Sequence, residues 1–241
     1  MIQVLLLLAL AQPPPNCSGE AARHVATANA RAEALNLSGA SDAFFTAAAI
    51  GCADADVAAH FIRGLLAARE AYRFGGSPES LEPVKQAIVG LETRGAKDRG
   101  IPEVWRFLLQ AAAAAAQSER DEMALLLEHA IQLEVIQLEA GERRIPGVTA
   151  HELAGDLFLQ VHRYDDARRA YARAAARLGV TPRVRLGYAR TAARLKEIPG
   201  ACLEYRALLS WWGARAEAPP EIVEARAFVG RPACQRPASQ R

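Results

Sequence analysis

Two stretches in the C-terminal half of the chain repeat one another at a spacing of 34 residues. The residue pairs that share this spacing are Ala167 and Ala201, Tyr171 and Tyr205, Gly155 and Ala189, and Tyr164 and Ile198. A fixed period of this length is typical of helix–turn–helix units that stack on one another. The repeat therefore constrains this half of the chain to helical hairpins.

The residues of the first stretch have the sizes that two crossing helices require. Gly155, Ala167 and Ala174 are small and allow close approach, and Tyr171 fills the gap beside them. We expect both Tyr171 and Tyr205 to be buried at the crossing of their hairpins.

With Phe158, these residues resemble the signature of the tetratricopeptide repeat, a small residue and an aromatic followed by the Ala–aromatic–Ala pattern of the second helix. The resemblance covers Thr149 to Trp212 and departs from the family at His151, where tryptophan is usual, and at Leu208, where a small residue is expected. It implies a right-handed α-solenoid of helical hairpins over residues 149–230. No family is recognised for residues 18–100.

The resemblance also implies a concave groove that is lined by the first helices of successive hairpins and binds an extended peptide or a partner helix. Carried over residue by residue, the groove would be lined by Glu152, Asp156 and Gln160 from one hairpin and by Arg183, Arg190 and Arg194 from the next. Arginines at this spacing share a helical face and can bind a carboxylate with two hydrogen bonds. A solvated charged face is the alternative interpretation.

The rest of the chain also has helical patterns. Hydrophobic residues make up 51% of the sequence and charged residues 23%, which favours a folded globular chain. Alanine-rich segments alternate with capping and glycine-bearing turns, and no stretch has sustained period-two alternation. We expect an all-α protein with an irregular helical region over residues 18–140, including one helix from Glu20 to Leu37, and a disordered tail over residues 231–241.

The first residues are typical of an export signal. Ile2 to Ala11 is apolar apart from Gln3, and Ala9-Leu10-Ala11 has the small–x–small pattern of a cleavage site. We expect a signal peptide over residues 1–11, cleavage after Ala11, a proline-rich spacer over residues 12–17 and a periplasmic or secreted protein. A run of this length is too short to span a bilayer as a helix. An apolar N-terminal helix that docks on the core is the alternative.

Four cysteines, Cys17, Cys52, Cys202 and Cys234, remain after this cleavage. An even number in an exported protein permits two disulfides with three possible connectivities. Proximity along the chain favours Cys17 with Cys52 and Cys202 with Cys234.

Motifs of catalysis or metal binding are not found. His151-Glu152 begins like a zinc-protease helix, but Gly155 occupies the second ligand position. Asp54 and Asp56, close to His60, suit a helix N-terminus better than a metal site. The net charge of +2 argues against a nucleic-acid partner.

We therefore expect no catalytic residue, no metal and no cofactor. The expected function is protein–protein interaction in the cell envelope, with a protein or peptide partner. The alternative is a helical-repeat enzyme or a lid domain whose site lies in the N-terminal half.

Overall fold

The computed structural model describes residues 17, 19–95, 100–141, 148–213 and 218–235. The expected signal peptide and residues 12–16 of the expected spacer lie outside them. Within the described residues every regular element is a helix and no strand occurs, which confirms the all-α class. No helix in the described ranges combines the length and the apolar character that crossing a membrane requires.

The described residues form twelve helices, which fall into two compact units divided between Ala150 and His151. The first unit contains α1 (Gly19–Glu33), α2 (Leu37–Ala49), α3 (Ala53–Arg73), α4 (Pro78–Gly95), α5 (Ile101–Ala116) and α6 (Arg120–Glu139). The second contains α7 (Ala150–Gln160, from His151 on), α8 (Tyr164–Leu178), α9 (Pro182–Arg194), α10 (Ile198–Trp212), α11 (Pro220–Val229) and α12 (Pro232–Gln235).

The first unit is built around contacts of α3 with its neighbours α4 and α5. The ring of Phe61 stacks on that of Trp105 with centroids 5.0 Å apart. A side chain added at Gly64 would lie 2.6 Å from Leu109 and 2.9 Å from Ala87. Small residues therefore allow three helices to meet closely at one point of the core.

The first two helices differ from the sequence-based expectation. The single helix expected from Glu20 to Leu37 ends at Glu33, and α2 already begins at Leu37. The reason is Asn36, whose side-chain oxygen accepts a hydrogen bond from the Gly39 N–H at 2.8 Å. This N-cap starts a new helix where alanine content alone favours continuing the old one.

The second unit repeats with a constant period. Helices α8, α10 and α12 begin at residues 164, 198 and 232, each 34 after the one before. Three pairs of helices follow one another, α7 with α8, α9 with α10, and α11 with the short α12. The third pair has no counterpart in the residue matches that define the first two.

The disordered tail expected over residues 231–241 is wrong for Pro232–Gln235, which form α12. Cys234 is buried at disulfide distance from Cys202, and its carbonyl accepts a hydrogen bond from the Arg206 guanidinium. These contacts with α10 hold the short helix in place. Residues 236–241 lie outside the described residues.

Both tyrosines of the repeat are buried, as expected. Tyr171 is fully buried, and its ring lies where a side chain at Gly155 or at Gly187 would have to be. It therefore packs against α7 and α9 together. Tyr205 is 2% exposed, and its ring centroid lies 4.7 Å from that of Phe228 on α11.

The cysteines pair as chain proximity favours. Cys17 and Cys52 lie at disulfide distance in the first unit, with their Cα atoms 5.0 Å apart. Cys202 and Cys234 do so in the second unit, with their Cα atoms 5.5 Å apart. Each unit thus holds one pair.

Candidate functional site: a charged strip on α7, α9 and α11

Three charged residues occupy equivalent positions of the repeat. Asp156 on α7, Arg190 on α9 and Glu224 on α11 follow one another at intervals of 34 residues (156, 190 and 224). Together with Arg183 and Glu152 they form a row of charged residues, each with a hydrogen bond to another part of the unit, that we name the first-helix strip. It is the part of the second unit where the expected groove residues lie.

Asp156 is the centre of one half of the strip. It accepts a hydrogen bond from the Tyr171 hydroxyl at 2.7 Å and another from Arg183 Nη1 at 2.8 Å. Burial, followed by the Asp156 charge, raises the pKa of Tyr171 well above its ordinary value, so the hydroxyl keeps its proton. The tyrosine at the helix crossing is thereby tied to an ion pair between α7 and α9.

Glu224 is the centre of the other half. Its two oxygens accept hydrogen bonds from Arg190 Nε at 3.0 and 3.1 Å, and Oε1 also accepts one from the Tyr205 hydroxyl at 2.6 Å. Burial opposes ionisation of this carboxyl group, but the hydrogen bonds and charge of Arg190 outweigh it and lower the pKa of Glu224. The same grouping of tyrosine, carboxylate and arginine therefore links α9 to α11.

Glu152 lies at the edge of the strip and is only 1% exposed. Its carboxylate accepts a hydrogen bond at 2.6 Å from the hydroxyl of Thr181. The Thr181 oxygen in turn accepts one from the Val184 N–H and so caps α9. Glu152 thus supports the start of the next hairpin instead of presenting its charge to solvent.

The two arginines nearest the carboxylates are already engaged. Arg183 is buried, and burial opposes its charge, but Asp156 and Glu152 together raise its pKa above the ordinary value. Arg190 is half-buried in its pair with Glu224. A ligand carboxylate would have to displace a carboxylate of the chain to bind either guanidinium, and such exchange gains little because one ion pair replaces another.

Arg194 and Gln160 complete the set expected from the sequence, and they occupy equivalent positions one repeat apart. Arg194 is exposed, and its charge contributes to the lowered pKa of Glu224. Gln160 is half-buried at the end of α7. Arg194 is therefore the member of the expected arginine row best placed to meet a ligand.

The residue that the sequence interpretation missed is Glu224. Its signal was present, because it lies 34 residues after Arg190, at the same position of the repeat. The matches that defined the repeat were small, aromatic and aliphatic residues, and none of them extended to α11.

Asp54, Asp56 and the nearby His60 all belong to α3. Asp54 and Asp56 lie in the first turn of α3, as expected for a helix N-terminus, and Asp56 Oδ1 lies 3.5 Å from His60 Nε2. The His60 ring packs edge-on against Phe45 with centroids 6.0 Å apart. Over the residues that the structure describes, no group of three potential metal ligands comes together.

No protein-family model matches the chain, and comparisons with curated proteins and with solved structures found no match either. The interpretation of the strip therefore depends on its geometry and on the repeat.

Proposed function

We propose that this chain is an exported interaction protein of the cell envelope, and that residues 149–230 form a tetratricopeptide-like, right-handed α-solenoid. Its partner is a protein or peptide that lies along α7, α9 and α11.

The observation that carries this proposal is the constant 34-residue spacing of equivalent features through three successive helix pairs. The helix starts at 164, 198 and 232 share it, and so do the charges of the first-helix strip. Units that repeat in this way present equivalent side chains side by side, which suits an extended partner. Internal ion pairs link α7 to α9 and α9 to α11, and Arg194 stays exposed for recognition.

Export is supported by the cysteines. Both pairs lie at disulfide distance, and the structure has no free cysteine among the residues it describes. Disulfides persist in oxidising compartments such as the periplasm and are rare in the cytosol.

The proposal is tested by immobilising the oxidised protein, capturing partners from envelope extracts of its own host, and repeating the capture with Arg194→Glu. Charge reversal at an exposed contact should weaken capture by roughly tenfold, because an attraction of up to about 1 kcal/mol is replaced by a repulsion of similar size. Quantitative mass spectrometry of the retained proteins measures the loss.

Arg226→Glu is the matched control. Arg226 is an exposed arginine of α11, two residues from Glu224 and hence on another side of that helix. It should retain every partner. Equal retention by the wild type and the Arg194 variant, or equal loss in both variants, would contradict binding along the first helices.

A further inference from the structure

The second helix of the first repeat unit, α8, carries a basic row on its exposed side. Arg169, Arg173 and Arg177 of α8 follow one another at intervals of four residues, which places them on one face, and all three are exposed. Arg169 is paired with Asp166. Arg173 and Arg177 are the two basic residues of this row toward the C-terminal end of α8, away from the acidic first turn.

The equivalent positions of α10 are apolar. Thirty-four residues after the three arginines stand Leu203, Ala207 and Trp211. Leu203 is 64% exposed and Trp211 43% exposed. With Ala207 between them, Leu203 and Trp211 form an apolar row on one helical face, and apolar surface next to charged residues is the composition of many interaction sites.

Stacked repeat units present equivalent side chains side by side, so we infer that the two rows form one surface. They occupy equivalent positions on equivalent helices of consecutive repeat units. Arg168 Nη2 also donates hydrogen bonds at 2.7 Å to both carboxylate oxygens of Glu197, the residue that precedes α10. This surface lies on α8 and α10, apart from the first-helix strip on α7, α9 and α11.

We propose that this surface, formed by Arg173, Arg177, Leu203 and Trp211, docks on a bilayer that contains anionic lipid. Arginines bind lipid phosphates, while tryptophan and leucine enter the boundary between head groups and acyl chains. Basic rows on two copies of the chain would repel each other, which disfavours a second copy as the occupant. An acidic peptide would satisfy the arginines but would leave the apolar row in water.

The two arginines determine the electrostatic contribution to vesicle binding. A basic residue close to an anionic bilayer surface contributes roughly a fivefold increase in binding, and two such residues roughly 25-fold. The double variant Arg173→Ala, Arg177→Ala should therefore lower the partition coefficient onto anionic vesicles by about that factor at low salt.

The experiment uses the full oxidised chain and vesicles of phosphatidylcholine with and without phosphatidylglycerol. Trp211 supplies a local signal, because the other two tryptophans, Trp105 and Trp212, are only 6% and 5% exposed. Docking should shift the emission to shorter wavelength and reduce quenching by iodide with the anionic vesicles only. Co-sedimentation measures the partition coefficient.

The matched control variants are in the first unit. Every sample contains the same apolar N-terminal residues, so their contribution to vesicle binding is the same throughout. Leu125 is 68% exposed, so Leu125→Ser controls for Leu203→Ser. Arg73 and Arg120 are exposed, so their double alanine variant controls for Arg173 and Arg177. Circular dichroism establishes that each variant is folded.

Selective loss in the Leu203 and Arg173/Arg177 variants, with both controls unchanged, supports the proposal. Equal vesicle binding by a test variant and its control overturns it. So does an unchanged Trp211 signal with anionic vesicles. Binding of a polyglutamate peptide through the same arginines, without vesicle binding, overturns it in favour of an acidic protein partner.

Discussion

Tyr171 shows how one side chain joins three helices of the second unit. It belongs to α8, its ring lies against Gly155 of α7 and Gly187 of α9, and its hydroxyl donates to Asp156. The side chain is therefore both a packing element and a member of the charged strip. These two contributions can be separated by removing the oxygen alone.

Tyr171→Phe should lower the free energy of unfolding by about 1.5–3 kcal/mol, the usual range for a hydrogen bond to a charged group. The ring and the pairing of Asp156 with Arg183 are retained. Tyr171→Ala should cost more, roughly 3–5 kcal/mol, because the crossing loses its filling. Urea titration measures both values.

Tyr164→Phe is the control for this prediction. The Tyr164 hydroxyl bonds to His162 at an exposed turn, so its loss should change stability by less than about 0.5 kcal/mol. Similar losses in the Tyr171→Phe and Tyr164→Phe variants would mean that the Asp156 hydrogen bond contributes nothing to the repeat.

At the scale of the elements, glycine residues determine how closely the helices of the second unit approach one another. A Cβ at Gly155 would lie 2.5 Å from the Tyr171 ring, so α7 and α8 can approach only because the position is glycine. Helical glycine normally costs stability relative to alanine. At Gly155 the close contact between helices offsets that cost.

Gly155→Ala should destabilise the protein, because overpacking of roughly 1–3 kcal/mol exceeds the helix-propensity gain of about 1 kcal/mol. Gly200→Ala should stabilise it by up to about 1 kcal/mol. Its new Cβ would lie 3.9 Å from Ala192, which is ordinary contact. Thermal and urea unfolding of the two variants should differ in sign, and a shared sign would contradict the crossing at Gly155.

At the scale of the whole molecule, each unit contains one pair of cysteines at disulfide distance. The pair of Cys17 and Cys52 ties the residues before α1 to the residue before α3. Cys202 with Cys234 ties α12 to α10. The second pair stabilises α12, because a helix of four residues has too few internal hydrogen bonds to persist alone.

Cys202→Ser with Cys234→Ser should lower the free energy of unfolding by about 3–4 kcal/mol, as the entropy of closing a loop of this length predicts. The Cys17–Cys52 pair closes a loop of similar length, so Cys17→Ser with Cys52→Ser should cost a similar amount. Denaturant titration gives the two values. Peptide mapping of native protein that recovers these cysteines as alkylated thiols would contradict the pairing.

The helices, their caps and the 34-residue period follow from local sequence, because capping residues and apolar periodicity act within one or two turns. Thr181 caps α9 as its position before Pro182 indicates. Burial of Tyr171 and Tyr205 also follows, since a tyrosine among small residues at a repeat position has only the crossing to fill. Proximity along the chain likewise predicted both cysteine pairs.

Which carboxylates pair with which arginines is determined by the tertiary structure. Helical spacing places Arg183, Arg190 and Arg194 on one side of α9, but it says nothing about which carboxylates arrive from other helices. Asp156 and Glu224 come from α7 and α11 and engage two of the three arginines. Long-range ion pairs depend on how helices stack, and a pattern within one helix contains no information about that. For the same reason the order in Pro232–Gln235 comes from contacts with α10, which the local composition of the tail does not indicate.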